Sequence, residues 1–317
     1  MLNPDRWAWL VVLAVLLAAP GCASQKDAQS RVDSESRRLM ELQRQRQAAV
    51  DEKPTPVDLP QASVQSHEKL GDNYLKQDNA AMAFLEYRKA LAAEPDNAYL
   101  RYKIGHLLMK KGLNEEALKE FNVLIEKDPK QYLGYQGKAE ALLAMGKLDE
   151  AHENALLTIG VSESWRTYAL LGRICQRQNR FSEAVEYYGK AASLNPKSVA
   201  LYNDLGITLS SAGRDEEAVQ AFLKALGLDP ANQIAYNNMA LALFRLGQYS
   251  QAFEAFKRGS DEAAAYNNIG VLYMRDKSYQ LAVESFEKAV EAKPSYYEQA
   301  QENMKKAREA MAREAIK

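Results

Sequence analysis

The chain has 317 residues, with 41 Lys and Arg against 42 Asp and Glu and a net charge of −1. That balance supplies no global field to draw in nucleic acid or an anionic membrane surface. Two cysteines, Cys22 and Cys175, exclude a disulfide framework and a cysteine-based zinc site.

Residues 1–21 read as an export signal. Arg6 precedes an apolar run at 7–19, which is too short to span a bilayer. The run ends Ala19-Pro20-Gly21-Cys22. This resembles the lipobox of bacterial lipoproteins, with Ala19 where leucine is usual. The resemblance implies that Cys22 is acylated, palmitate included, and becomes the mature N-terminus. Several acyl chains hold a protein firmly, since each buried methylene adds about 0.8 kcal/mol. Ala23, in place of the aspartate that retains such proteins in the inner membrane, implies an outer-membrane anchor with the rest of the chain in the periplasm. The plainer alternative is an ordinary cleaved signal followed by an unrelated cysteine.

Residues 22–63 change character. Ser, Gln and charged side chains dominate and aromatics are absent, so the segment has too little apolar surface to order itself. It is expected to be a disordered tether. With Pro54, Pro56 and Pro60 near its end, it would reach on the order of 35 Å as a flexible coil.

The next part of the chain repeats one pattern seven times. Small residues recur at Gly71, Gly105, Ala139, Gly172, Gly206, Ala240 and Gly270. Alanine recurs at Ala83, Ala117, Ala151, Ala184, Ala218, Ala252 and Ala282. An aromatic side chain follows at Tyr87, Phe121, Tyr188, Phe222, Phe256 and Phe286, with Ala155 the exception. Pro95, Pro129, Pro196, Pro230 and Pro294 close five of the units. Between Val199 and Asn232, Tyr202, Leu205 and Leu209 give a first helix its apolar stripe, and Ala218, Phe222 and Ala225 give a second. Gly213 ends the first helix, and Asp215 is the expected cap of the second.

This pattern, at about 34 residues per unit, resembles the tetratricopeptide repeat family. The resemblance covers residues 64–296, as units 64–97, 98–131, 132–164, 165–198, 199–232, 233–262 and 263–296. It implies an all-α, right-handed superhelix of seven helix pairs. Residues 297–317 would add a capping helix and tail, with Ala300, Met304, Ala307 and Met311 on one face. A helix pair cannot bury its apolar face alone, so the units must stack. The third unit lacks its proline and aromatic residue, so its second helix is expected to pack loosely. The sixth is four residues short, and an altered stacking angle is expected there.

No catalytic constellation is legible. His67, His106 and His152 lie in three different units without metal-ligand spacing. No phosphate-binding loop or nucleophile elbow is present. The sequence therefore points to no enzyme, cofactor or small-molecule substrate. Cys175 falls in an apolar stripe and is expected to be a buried structural thiol.

In this family the first helix of each unit lines a concave groove. Projected on this chain, the late half of that groove carries Asn203, Asn237, Asn238, Asn267 and Asn268. Ile234, Leu241, Phe244, Val271 and Met274 lie between them. An asparagine offers both a donor and an acceptor, so a row of them suits the backbone of an extended peptide. On the plainer alternative they only solvate the groove. The early half is basic, with Lys69, Lys76, Lys103, Lys110, Arg173 and Arg177. Glu68, Asp72 and Glu140 project nearby and blunt its field.

Two further stretches carry a narrower resemblance. Residues 261–271 read Asp-Glu-Ala-Ala-Ala-Tyr-Asn-Asn-Ile-Gly-Val, and residues 293–304 read Lys-Pro-Ser-Tyr-Tyr-Glu-Gln-Ala-Gln-Glu-Asn-Met. Together with the short sixth unit they resemble the TadD lipoproteins of Tad/Flp pilus assembly. That resemblance implies a pilotin-like scaffold whose groove binds a secretin or another assembly protein. Type IV pilus pilotins are a neighbouring possibility. A periplasmic adaptor that recruits cell-wall hydrolases or synthases is the alternative.

Overall fold

The structure, a computed structural model, describes residues 63–293 and 298–315. The export signal, Cys22 and almost all of the expected tether lie outside the described residues. Among the described residues every regular element is a helix. Seven pairs follow one another: α1 Val64–Lys76 and α2 Ala80–Ala93, α3 Ala98–Lys110 and α4 Asn114–Lys127, α5 Tyr132–Ala144 and α6 Leu148–Val161, α7 Trp165–Arg177 and α8 Phe181–Leu194, α9 Val199–Ser211 and α10 Asp215–Leu228, α11 Gln233–Arg245 and α12 Tyr249–Gly259, α13 Glu262–Arg275 and α14 Tyr279–Ala292. A closing helix, α15, spans Glu298–Ala315.

In the units that carry a ring, the small residue, the alanine and the aromatic side chain meet where the two helices cross. A Cβ built on Gly206 would lie 2.5 Å from the Phe222 ring, and one on Gly105 would lie 2.3 Å from that of Phe121. Ala218 is fully buried and Phe222 almost so. Each such ring stabilises its unit by about 1.5–3 kcal/mol through burial alone.

Helix starts follow two rules. First helices are capped by side chains: Asn97 accepts from the Leu100 amide, Asn232 from Ala235 and Asp261 from Ala264. Among second helices only α2 has a side-chain cap, Asn79 accepting from the Met82 amide; α4, α6, α8, α10, α12 and α14 carry none. Several instead place acids in the first turn, such as Glu115 and Glu116 in α4, where the helix dipole favours negative charge. Asp215 follows this second rule. It is not the cap of α10, which is Arg214. It sits inside the first turn, accepts from the Ser210 hydroxyl and pairs with Arg245 at 2.8 Å.

The third unit corrects another expectation. Ala151, Ala155 and Thr158 of α6 are completely buried, so the helix is not loose at these positions. Ala155 faces a unit whose small residue is Ala139 rather than glycine, and Thr158 satisfies its hydroxyl on the Asn154 carbonyl at 3.0 Å. In the sixth unit α12 is shorter than the other second helices and only Ser260 and Asp261 separate it from α13.

First helices of successive units also touch one another, at α3–α5, α5–α7 and α9–α11, and α13 touches α15 in the same way. No two second helices pack as closely. First helices therefore sit on the inside of the curve and line its groove.

Candidate peptide-binding groove

Two cavities of about 580 Å³ each open on the inner face of the first four units. His106, Gln136, Glu140 and Arg166 line both, so they form one continuous groove from α1 to α7. In the late half a small cavity of about 160 Å³ opens around Ile207, Asn238, Leu241 and Arg245.

At one end of the groove Lys103 reaches across from α3 and donates to Glu68 at 2.8 Å and Asp72 at 2.7 Å. Its ammonium also lies 4.9 Å from the centre of the Tyr99 ring. Burial works against the charge on Lys103, yet the hydrogen bonds to Asp72 and Glu68 outweigh it and raise the pKa. Tyr87 donates to Asp72 at 2.5 Å. Burial raises the Asp72 pKa, but the bonds from Lys103 and Tyr87 lower it more. Lys110 is paired with Asp78 at 2.6 Å. Lys69 and Lys76 are exposed and line neither cavity.

The middle is a polar bridge between α3 and α5. Gln136 Nε2 donates to the Tyr102 hydroxyl at 2.8 Å and to Glu140 Oε1 at 3.0 Å. His106 Nε2 lies 2.8 Å from Glu140 Oε2 but is not aligned for a hydrogen bond. Burial, and then the Glu140 carboxylate, hold the Tyr102 phenol far above the ordinary tyrosine range. The hydroxyl therefore stays protonated, a neutral donor in the groove wall.

The far end is α7. Trp165 forms part of the wall, and the Arg166 guanidinium lies 4.4 Å from its ring centre. Arg173 and Arg177 line the same cavity. No carboxylate among the described residues is within ion-pair distance of these three arginines. Arg173 and Arg177 were expected at the groove. Arg166 and Trp165 were missed, although Arg166 precedes Arg173 and Arg177 at a helical spacing that is visible in the sequence.

The asparagine row is assembled differently from the expectation. Asn267 is 4% exposed, and its Oδ1 accepts from Asn303 of α15 at 3.0 Å. Asn238 donates to Asn203 at 3.1 Å. The Asn237 Oδ1 is buried without a partner, and a Cβ on Gly259 would lie 2.4 Å from it. Asn268 is half-buried. Phe244 is not a groove pocket either: it is 4% exposed, with the Tyr249 and Tyr273 rings at 5.0 and 5.2 Å. Met274 packs on the cluster of Phe286 and Ala307. Only Ile234 and Val271 stand clearly exposed, with Leu241 half-buried beside the small cavity. The physical reason is stacking. Adjacent first helices approach closely enough for their asparagines to bond to one another.

The histidines remain apart in the fold. His67 bonds Glu86 at 2.7 Å, while the His152 Nε2 is buried without a partner. No group of three or more His, Cys, Asp or Glu side chains that could hold a metal ion occurs among the described residues. Cys175 is fully buried, and that burial pushes its thiol pKa up.

Comparison with known proteins agrees with this architecture. Two tetratricopeptide repeat models match, one at residues 169–233 and 237–297 and the other at 74–138. Tetratricopeptide repeat protein 6 of Homo sapiens is 30% identical over 137 residues, 42% of this chain and 26% of that protein. DnaJ homolog subfamily C member 3 of Gallus gallus is 25% identical over 114 residues, 36% of this chain and 23% of that protein. The chain thus spans about a quarter of the length of these relatives. Among solved structures, TTC0263, a tetratricopeptide repeat protein of Thermus thermophilus, is 21% identical with a TM-score of 0.51, covering 57% of this chain and 100% of that one. The Cut9–Hcn1 complex gives 18% identity and a TM-score of 0.53, covering 78% of this chain and 53% of that one. These two likenesses concern the fold alone. The family matches cover more than half of the sequence, and the chain belongs to the tetratricopeptide repeat family.

Proposed function

We propose that this protein is a membrane-anchored scaffold for protein–protein interaction, acting as a pilotin-like assembly factor for a pilus or secretion machine. The observation that carries the binding role is the continuous groove across α1, α3, α5 and α7, with a cavity of about 580 Å³ on each side of the His106–Gln136–Glu140 bridge. A groove of this kind, walled by aromatic and polar side chains, suits an extended segment of another protein. The anchor rests on Ala19-Pro20-Gly21-Cys22, and the pilus role on the resemblance at residues 261–271 and 293–304.

A photocrosslinking residue in place of Tyr99, which is 53% exposed and lines the groove, tests the reading in cells. The same residue in place of Leu228, exposed on a second helix, is the control. A secretin or another pilus component captured from position 99 and not from 228 is the expected result. Capture of a cell-wall hydrolase or synthase would replace pilus assembly by the adaptor role. Absence of any capture specific to position 99 would overturn the groove as the binding surface.

A further inference from the structure

Three guanidinium groups stand in a line along α7 with no carboxylate to meet them. Arg166, Arg173 and Arg177 follow at i, i+7 and i+11. On a helix of 3.6 residues per turn this sets them within about 40° of one another around the axis and over about 16 Å along it. All three are exposed, and all three line the same cavity.

The contrast with other cations on the inner face is plain. Lys103 has Glu68 and Asp72, Lys110 has Asp78, and Arg245 has Asp215. The carboxylate that acts on Arg173 is Asp204, which lies beyond ion-pair distance. Burial holds the Asp204 carboxyl above its usual range. Glu140 is already engaged by Gln136. Arg173 does meet the Tyr188 phenol, but guanidinium groups that lack a carboxylate inside a concave site are suited to carboxylates, which they grip through paired hydrogen bonds at small desolvation cost. Trp165 and Leu170 beside them add apolar wall.

Taking the groove as the protein-binding surface proposed above, we infer that its partner offers an acidic, extended segment: Asp or Glu carboxylates spaced to meet Arg166, Arg173 and Arg177, with an apolar side chain between them against Trp165. A protein segment fits better than a bilayer surface, because the arginines line a recess between helices and the chain as a whole carries no positive excess.

The test titrates the full-length protein, in detergent, with a fluorescein-labelled peptide of alternating Glu and Leu. About eight residues, extended to about 26 Å, would cover the stripe. The comparison peptide has Gln for every Glu. The acidic peptide should bind more tightly, lose affinity with added salt, and bind at least about tenfold more weakly to the R166Q/R173Q/R177Q variant. That variant should keep its thermal unfolding curve, because the three side chains are exposed. The K69Q/K76Q variant, whose cations lie outside both cavities, should bind like the wild type. Equal affinity for the two peptides, or no loss in the triple arginine variant, would overturn the inference. So would arginine-dependent binding to phosphatidylglycerol vesicles in place of the peptide. If crosslinking from position 99 still captures a specific partner in that case, the scaffold stands and only the acidic specificity falls.

Discussion

Asn303 of the closing helix donates a hydrogen bond to Asn267 of α13 at 3.0 Å, and Asn267 is 4% exposed. The bond ties the last repeat to the helix that covers it. Removing Asn267 also leaves the Asn303 amide in a part-buried setting without its acceptor. Asn267→Ala should therefore destabilise by about 1–3 kcal/mol, more than the ordinary value of a matched bond. A double-mutant cycle with Asn303→Ala, read by denaturant unfolding, should show a coupling of about 0.5–1.5 kcal/mol. Independent effects of the two changes would show that the bond does not hold the cap.

The fold was legible because each unit states the same packing problem. Gly206, Ala218 and Phe222 only make sense as a crossing, and the other units repeat the pattern, with Ala155 the one break in the aromatic series. The groove was less legible. Asn267 and Asn237 occupy positions that face the groove in a helical projection, but projection treats a helix as isolated. Neighbouring first helices approach closely, and Asn203 and Asn238 bond to each other. Phe244 was lost to the core in the same way, through Tyr249 and Tyr273 of later helices. The pairing of Lys103 with two acids of the preceding unit is also a contact between units, and no single helix displays it.

His152 predicts a pH dependence. Its Nε2 is buried without a hydrogen-bond partner. Burial first, and then the Arg180 charge, lower its pKa below the ordinary 6.5, against the weaker pull of Glu183, Asp149 and Glu153. The unfolded chain therefore takes up a proton, as pH falls through 6.5, that the folded chain does not. By linkage the stabilising contribution is present above that pH and is lost on acidification. His152→Gln should flatten this part of the curve. Between about pH 7.5 and about pH 5.5 the wild type should lose more stability than the variant in urea unfolding. The His67–Glu86 pair is common to both proteins and cancels in the comparison. Parallel pH profiles would remove His152 as a contributor.

The proposed anchor makes a simple prediction for cells. Among the described residues no helix is long and apolar enough to cross a membrane, and the run at 7–19 is too short to do so. Cys22→Ser should therefore leave the protein unacylated and largely absent from the membrane fraction, while the repeats keep their helical circular dichroism. Firm membrane association of that variant would overturn the lipoprotein reading. Ala23→Asp should shift the protein to the inner membrane, and unchanged fractionation would remove the sorting argument.

Lys277 stands at a backbone position that suits it poorly. Its φ is 61°, in the left-handed region, at the turn between α13 and α14. The same turn in the other six units is made by Asp78, Gly112, Gly146, Asn179, Gly213 and Gly247, all with positive φ. Glycine has no Cβ to clash there, and Asp and Asn tolerate the conformation through local hydrogen bonding. For a lysine the conformation costs about 1–2 kcal/mol. Replacement by glycine removes that cost but offsets part of the gain, because glycine leaves the unfolded chain more freedom to lose. Lys277→Gly should thus stabilise the last repeat by about 0.5–1 kcal/mol, and the β-branched Lys277→Val should destabilise it. Amide hydrogen exchange across α13 and α14 is the direct measurement, since terminal repeats of a stack open on their own before the whole unfolds. Slower exchange in the glycine variant and faster exchange in the valine variant are expected. Faster exchange with glycine would mean that the exposed Lys277 side chain contributes more than its backbone costs.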